Sequence, residues 1–416
     1  MEIRPRNGRA SERSAPVTER LPGRGNYRAR LLDRYLGIAL VFALGTLRRR
    51  RIIPVEPKHI GLLNTAAVGD TILMSGPIAD LRAQHRHARI TLVSGPSNYE
   101  IACMVNHVDK VIRLPVFNPL ASLRQLRAQR FDVLLDFGPW CRFNALLATL
   151  SGARFVVGFR TPGEARHFGY DLSVEHSNSA HELENHRRIV RALGIQAVHP
   201  PSLRHIKAKN GKSENVQEPY VVCHLWPGGS AARQKEWPTT RWVALAEHLS
   251  RNGYGIVFTG SSNQHALNEA VIARIRPPLR RFASNVAGAP LVETLRVLAG
   301  AKLTVSVDTS VVHMAAALDA PLVALYGPSK AERWGPIGDR TIVVESPLAS
   351  AGYLNLGFER PRNPPPCMEA ICYECVQNAC NVALQQADAE RLSFADTSHL
   401  AYTPAKATGR ALDEKG

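Results

Sequence analysis

From His59 onward, short apolar runs alternate with stretches of helical length. HIGLLN (59–64), ARITLVSG (88–95), VDKVIRL (108–114), FDVLLDF (131–137) and RFVVGF (154–159) read as strands. A less patterned stretch over 173–218 holds one expected helix, 182–193, and a polar linker or exposed loop at 207–219. The alternation then restarts with YVVCHLW (220–226), GIVFTG (255–260), LTVSVD (303–308), PLVALYG (321–327) and RTIVVES (340–346). Helices are expected between them at 240–252 and 291–299. Continuous apolar runs suit parallel strands covered on both faces, and the intervening helices supply the cover. The expected class is α/β: two doubly wound, Rossmann-like domains, 59–205 and 206–350, facing a cleft. Residues 1–58 form an extension before them. Residues 351–416 follow as a cysteine-containing loop and a C-terminal helix or tail. Sheets of this kind bind ligands beyond the carboxyl ends of their strands, so the chemistry is sought there.

Composition changes this picture mainly at the N-terminus. The 416-residue chain is 45% hydrophobic and 21% charged, which excludes a disordered or collagen-like chain. Its net charge is +17, from 52 Lys and Arg against 35 Asp and Glu. Residues 1–58 carry 14 − 5 = +9 of this, and residues 59–416 carry 38 − 30 = +8. Aromatic residues make up only 6%, and no nucleic-acid-binding motif is recognisable, which argues against nucleic acid as a partner. The uncharged stretch YLGIALVFALGTL (35–47) lies between Arg28, Arg30 and Arg34 on one side and Arg48, Arg49, Arg50 and Arg51 on the other. As a helix it reaches only about 20 Å, short of a hydrocarbon core of about 30 Å. Residues 28–51 therefore read as an in-plane or re-entrant anchor on an anionic membrane surface. The alternative is a helix packed on the protein's own surface. Residues 1–26 are expected to be disordered. Seven cysteines, an odd number in a long chain, argue against a secreted disulfide scaffold and for a reducing cytosol.

The strand ends carry the candidate chemistry. After the first strand, NTAAVGDTIL (64–73) lets a turn of small residues approach a ligand, with Gly69 free to take an unusual backbone angle. Asp70 stands at a helix start, as an N-cap or as a general base facing the cleft. WPGGSAARQKEWP (226–238) opens the second half. There Gly228 and Gly229 free backbone N–H groups, Ser230 adds a hydroxyl, and Arg233 and Lys235 add positive charge. That set suits a pyrophosphate-like anion; the alternative is a solvated basic loop. In VSVDTSVVHMAAAL (305–318) a buried strand runs into Asp308, Thr309 and Ser310. The helix start that follows offers N–H groups and a dipole to phosphate. His313 falls in the first turn, either as a structural histidine or as a neutral hydrogen-bonding group. YGPSKAERWGP (326–336), which contains Gly327 and Pro328, is a loop able to close the same site.

Together, AAVGD, PGGS…KEWP and DTSVVHMAAAL…PLVALYGPS resemble glycosyltransferase family 9, the heptosyltransferase family of lipopolysaccharide assembly. The likeness spans roughly residues 59–380. It implies a GT-B fold, inversion at the anomeric carbon, and no catalytic metal or other cofactor. By position it implies that Asp70 deprotonates the acceptor hydroxyl and Lys235 neutralises the leaving diphosphate. Asp308, Thr309 and His313 would contact the donor sugar and its phosphates. The residues agree with this: there is no convincing Asp-x-Asp at a strand end, whereas Lys235 and the helix start at Thr309 are fixed donors. Two positions depart from the family pattern. Ser310 stands where Gly is usual, and Asn263 and Gln264 stand where an acidic residue often contacts the nucleoside. The expected function is inverting, metal-independent transfer of heptose or a related sugar from a nucleotide-sugar donor. The acceptor would be a glycolipid or lipopolysaccharide core, reached from the inner face of the bacterial inner membrane. A nucleotide-sugar epimerase and a non-catalytic sugar-nucleotide-binding protein are the alternatives.

Cys367, Cys372, Cys375 and Cys380 form a C-x4-C-x2-C-x4-C array. The central pair has zinc-ligand spacing, so a structural zinc site is one reading. The family resemblance implies instead a cysteine-rich loop without a catalytic metal. Cys103, Cys141 and Cys223 read as small core or near-core residues.

Overall fold

The computed structural model describes residues 27–47, 51–65, 67–205, 217–229, 231–355, 359 and 361–398. The expected disorder of 1–26 and most of the polar piece at 207–219 lie outside these residues, as do Arg48, Arg49, Arg50 and Ser230.

Two parallel six-stranded sheets organise the chain. The first contains β1 (His59–Asn64), β2 (Arg89–Ser94), β3 (Lys110–Arg113), β4 (Val133–Asp136), β5 (Phe155–Arg160) and β6 (Leu172–Glu175), in the order β3-β2-β1-β4-β5-β6. The second contains β7 (Tyr220–His224), β8 (Gly255–Thr259), β9 (Ala283–Asn285), β10 (Leu303–Val307), β11 (Leu322–Tyr326) and β12 (Thr341–Glu345), in the order β12-β11-β10-β7-β8-β9. In each sheet the first strand is central, and the chain winds outward before crossing to the other side. The direction of winding therefore reverses between β1 and β4 and again between β7 and β10. A crevice opens at such a reversal, because the loops leaving the two strands diverge to opposite faces.

All ten apolar runs are strands. Two further strands, β6 and β9, were not expected from sequence. Both sit at a sheet edge, and their residues are only partly buried. LSVE and ASN therefore need no apolar run, which is why periodicity does not reveal them.

The central strands are fully buried, as two-sided cover requires: β7, β8, β10 and β11 have no exposed position. The C-terminal helix (Tyr373–Ser398) adds Val376, Cys380 and Leu384 to the core of the second sheet. The N-terminal helix (Tyr27–Leu47) lies against the first domain, with Val41 buried in its core. The helix thus packs on the protein's own surface along one face.

Four histidines are buried among the described residues, and three of them are shifted by it. Loss of water pulls His186, His224 and His313 down to about 4, from an ordinary value near 6.5. The unfolded chain then binds more protons than the folded one between about 6.5 and 4. Stability is therefore full above that window and falls as pH drops through it. Acidification from about pH 7 to about pH 5 should cost roughly 1–2 kcal/mol per histidine. The thermal unfolding midpoint should fall accordingly, and an unchanged midpoint would contradict neutral burial of these rings.

Candidate active site

Asp308 leaves the carboxyl end of β10 with its side chain almost out of water. Lys235 Nζ lies 2.5 Å from its Oδ2, and the Ser329 hydroxyl donates to the same oxygen. Burial alone would push the Asp308 carboxyl up. The Lys235 charge, with hydrogen bonds from Lys235 and Ser329, outweighs burial and holds it below the ordinary carboxylate value. Asp308 therefore stays ionised.

Lys235 is held from both sides. It ends the short 3-10 turn Ala232–Lys235, where Tyr353 donates its hydroxyl to Gln234 Oε1 at 2.9 Å. Two residues on, Trp237 is buried edge-on against Trp242 and donates Nε1–H to the Ile371 carbonyl at 3.0 Å. An ammonium on a flexible stem becomes a fixed charge only with such support.

The helix after Asp308 begins as its sequence predicts. Thr309 is the N-cap, in extended backbone, and its hydroxyl accepts from Val311 N–H at 3.1 Å. Ser310 is the first helical residue of Ser310–Ala317. Its φ is not positive, so nothing in the backbone at that position demands glycine. His313 is buried and neutral, and its Nδ1 has no hydrogen-bond partner.

The loop after β1 meets this helix from the other domain. Asp70 is not an N-cap: the cap of the Val68–Leu73 helix is Ala67, at φ 63°, without a side-chain cap bond. Asp70 instead lies in the first turn, half-buried, while Thr71 Oγ1 donates to the Ala67 carbonyl at 2.8 Å. The role expected for Gly69 is also corrected, since the unusual backbone angle belongs to Ala67. A Cβ on Gly69 would stand 3.1 Å from His313 Cδ2, so its missing side chain is what lets the two helices close together. Val68, Val311, Met314 and Ala317 share one apolar cluster across that contact.

The remaining candidates divide. Gly228 and Gly229 are exposed after β7, with open space where a Cβ would be, and Gly229 has φ +83°. That leaves backbone accessible beside Lys235. Asn263 is exposed after β8, and its Oδ1 accepts from the Ser261 hydroxyl at 2.6 Å. Gln264 completes a capping box with Ser261, which gives it a structural role. Gly327 and Pro328 are buried: a Cβ on Gly327 would meet Met368 Sδ at 2.5 Å, and Pro328 accepts from Leu354 N–H. They shape the turn that delivers Ser329.

The four-cysteine zinc reading is overturned. Cys372 and Cys375 are joined as a disulfide, so neither thiolate is available. Cys380 points into the core beside Cys223, and Cys367 packs under Gly327. Among the described residues no group of three or more His, Cys, Asp and Glu side chains could hold a metal ion. Cys141, read as a near-core residue, is exposed.

Sequence reasoning missed the polar bridge that ties the domains together beside the site. Arg333, from the loop after β11, places Nη2 2.5 Å from Glu182 Oε2 in the first domain, and both are buried. Burial opposes charge on Glu182, but the hydrogen bond from His176 and the Arg333 guanidinium beside it hold its carboxyl down at about 2. His181 Nε2–H donates to the Gly335 carbonyl at 2.9 Å, while its Nδ1 accepts from Leu183 N–H. The only signal in the sequence was the Gly/Pro-rich character of 326–336; its partners lie some 150 residues away.

Four loop sets thus converge at two facing reversals: those after β1, β7, β10 and β11. Replacing Lys235 with Ala leaves Asp308 buried beside no cation, and should lower the unfolding free energy by about 2–4 kcal/mol. The Lys235→Ala/Asp308→Ala double variant should recover part of that loss. Strictly additive losses in chemical denaturation would contradict a coupled pair.

Comparison with known proteins gives the family and the fold. Residues 120–353, more than half of the chain, match the family model for glycosyltransferase family 9 (heptosyltransferase). Lipopolysaccharide heptosyltransferase 2 of Salmonella typhimurium is 34% identical over 119 residues, 28% of this chain and 34% of that protein. The match thus spans about a third of the length of that relative. Lipopolysaccharide heptosyltransferase 1 of the same organism is 32% identical over 232 residues, 55% of this chain and 71% of that protein. The fold matches that of Escherichia coli ADP-heptose heptosyltransferase II, with a TM-score of 0.65 and 21% identity, over 80% of this chain and 99% of that one. An E. coli heptosyltransferase solved with ADP gives 0.62 and 19%, over 78% and 99%. The chain belongs to glycosyltransferase family 9, the heptosyltransferase family.

Proposed function

We propose that this protein transfers heptose from an ADP-heptose-type donor to a lipopolysaccharide-core or related glycolipid acceptor, with inversion and without a catalytic metal, at the inner face of the inner membrane. The observation that carries the reading is the Lys235–Asp308–Ser329 cluster at a capped helix start, closed by the turn that bears Asp70.

The chemistry follows from charge. As the bond between the anomeric carbon and the diphosphate breaks, its electron pair leaves with the nucleoside diphosphate. Lys235, the exposed amides of Gly228 and Gly229 and the positive end of the Ser310–Ala317 helix meet that charge without reorganising. On the opposite side, the Asp70 carboxylate takes the proton of the acceptor hydroxyl as its oxygen bonds to the anomeric carbon. Attack from the face opposite the leaving group inverts that carbon. Neutral His313 offers a hydrogen-bonding edge and adds no repulsive charge beside Lys235. Asp308 acts through Lys235, fixing the ammonium where the diphosphate departs.

Asp70→Asn should lower kcat by about a thousandfold, the middle of the range for a lost general base. ADP binding measured by calorimetry should persist, and turnover should be unchanged in excess EDTA. Unaltered turnover in the variant would remove Asp70 as the base. Loss in EDTA restored by a divalent cation would remove the metal-independent reading.

A further inference from the structure

The Tyr27–Leu47 helix presents an unusual surface. It carries no charge from Tyr35 to Leu47, and such a helix is ordinarily buried all round. Among the described positions of this helix, one stripe is covered. Gly37 lies against Arg142, Val41 enters the core, and Gly45 faces the Phe168 carbonyl. These positions recur every four residues, as one helix face does. Among the described positions from Tyr35 on, the apolar side chains of Tyr35, Leu36, Leu40 and Leu47 are open to solvent, while Phe42 is half-exposed and packs edge-on against Phe168. Leu47 and then Ile52, beyond the helix, are 83% and 91% exposed. A contiguous patch of this kind marks an interaction surface.

The helix is not a loose tether. Asp33 accepts from the amides of Phe143 at 2.8 Å and Arg142 at 3.2 Å, capping the helix that follows β4 (Arg142–Leu150). Past the other end, Arg51 donates to the Ala153 carbonyl at 2.8 Å. The docking site adjoins the catalytic edge. Thr65, in the loop after β1 that leads to Asp70, donates its hydroxyl to Asn144 Oδ1 of the helix that Asp33 caps, at 2.9 Å.

We propose that the open apolar face of this docked helix, with its flanking arginines, is a binding surface for an anionic lipid bilayer, and that it seats the first domain's acceptor edge at the interface. Arg28, Arg30 and Arg34 precede the apolar stretch, and Arg48, Arg49, Arg50 and Arg51 follow it. Positive charge at both ends of an apolar face complements anionic headgroups above acyl chains. No helix among the described residues is long and apolar enough to cross a membrane, which leaves the in-plane mode. The proposal deepens the lipid-linked acceptor reading. Its test needs neither donor nor acceptor, so the two fail separately.

The test is co-flotation of the full chain with phosphatidylglycerol-containing phosphatidylethanolamine vesicles, against pure phosphatidylcholine vesicles. The wild type should float with the anionic vesicles, and less so at high salt. The Leu36→Asn/Leu40→Asn/Leu47→Asn variant changes only exposed side chains. It should bind more than about tenfold more weakly while keeping its unfolding midpoint. Failure of the wild type to bind would overturn the proposal, as would equal binding by the variant. So would a wild-type dimer that the variant splits and that ignores vesicles, which would make a second copy the occupant.

Discussion

A carboxylate removed from water must find a cation or give up its charge, and Asp308 has found Lys235. The pair joins the loop after β10 to the turn that follows β7, the two strands between which the second sheet reverses its winding. Its strength is not the main point, because a buried ion pair contributes little net stability. What it does is pin a positive charge at a place that the fold leaves open. Trp237 and Tyr353 hold the backbone around Lys235, and Ser329 occupies a further lone pair of Asp308. Little freedom remains to the ammonium.

The same logic extends across the cleft. Small residues at Ala67 and Gly69 let the Val68–Leu73 helix, which carries Asp70 in its first turn, approach His313. The Glu182–Arg333 pair and the His181–Gly335 hydrogen bond reinforce the closed arrangement from the side. Both use the loop that supplies Ser329. One segment, 326–336, therefore serves the ion pair and the domain contact together.

Much of this was legible in the sequence because it follows local rules. Two-sided burial writes continuous apolar runs, and every such run is a strand. A helix start is legible at Thr309, and Thr309 caps it. Lys235 and Asp308 could be named from their motifs, but their mutual contact spans 73 residues and has no local signature. The edge strands β6 and β9 escaped because half-exposed strands need no apolar pattern. Glu182 and Arg333 escaped because isolated charged residues look like a solvated surface until the fold buries them. The cysteine array misled for a related reason: spacing shows which thiols are near in the chain, whereas Cys380 turns inward toward Cys223 and only Cys372 and Cys375 meet.

The central claim is that one gap holds the departing diphosphate on its Lys235 side and the accepting carboxylate of Asp70 on the other. A crystal structure of the full chain with ADP tests it most directly. The account predicts the β-phosphate against Lys235 Nζ and the helix start at Thr309, with Asp70 facing it across the space for a sugar ring. Nucleotide density elsewhere in the second domain, or an Asp70 carboxylate turned away from that space, would contradict it.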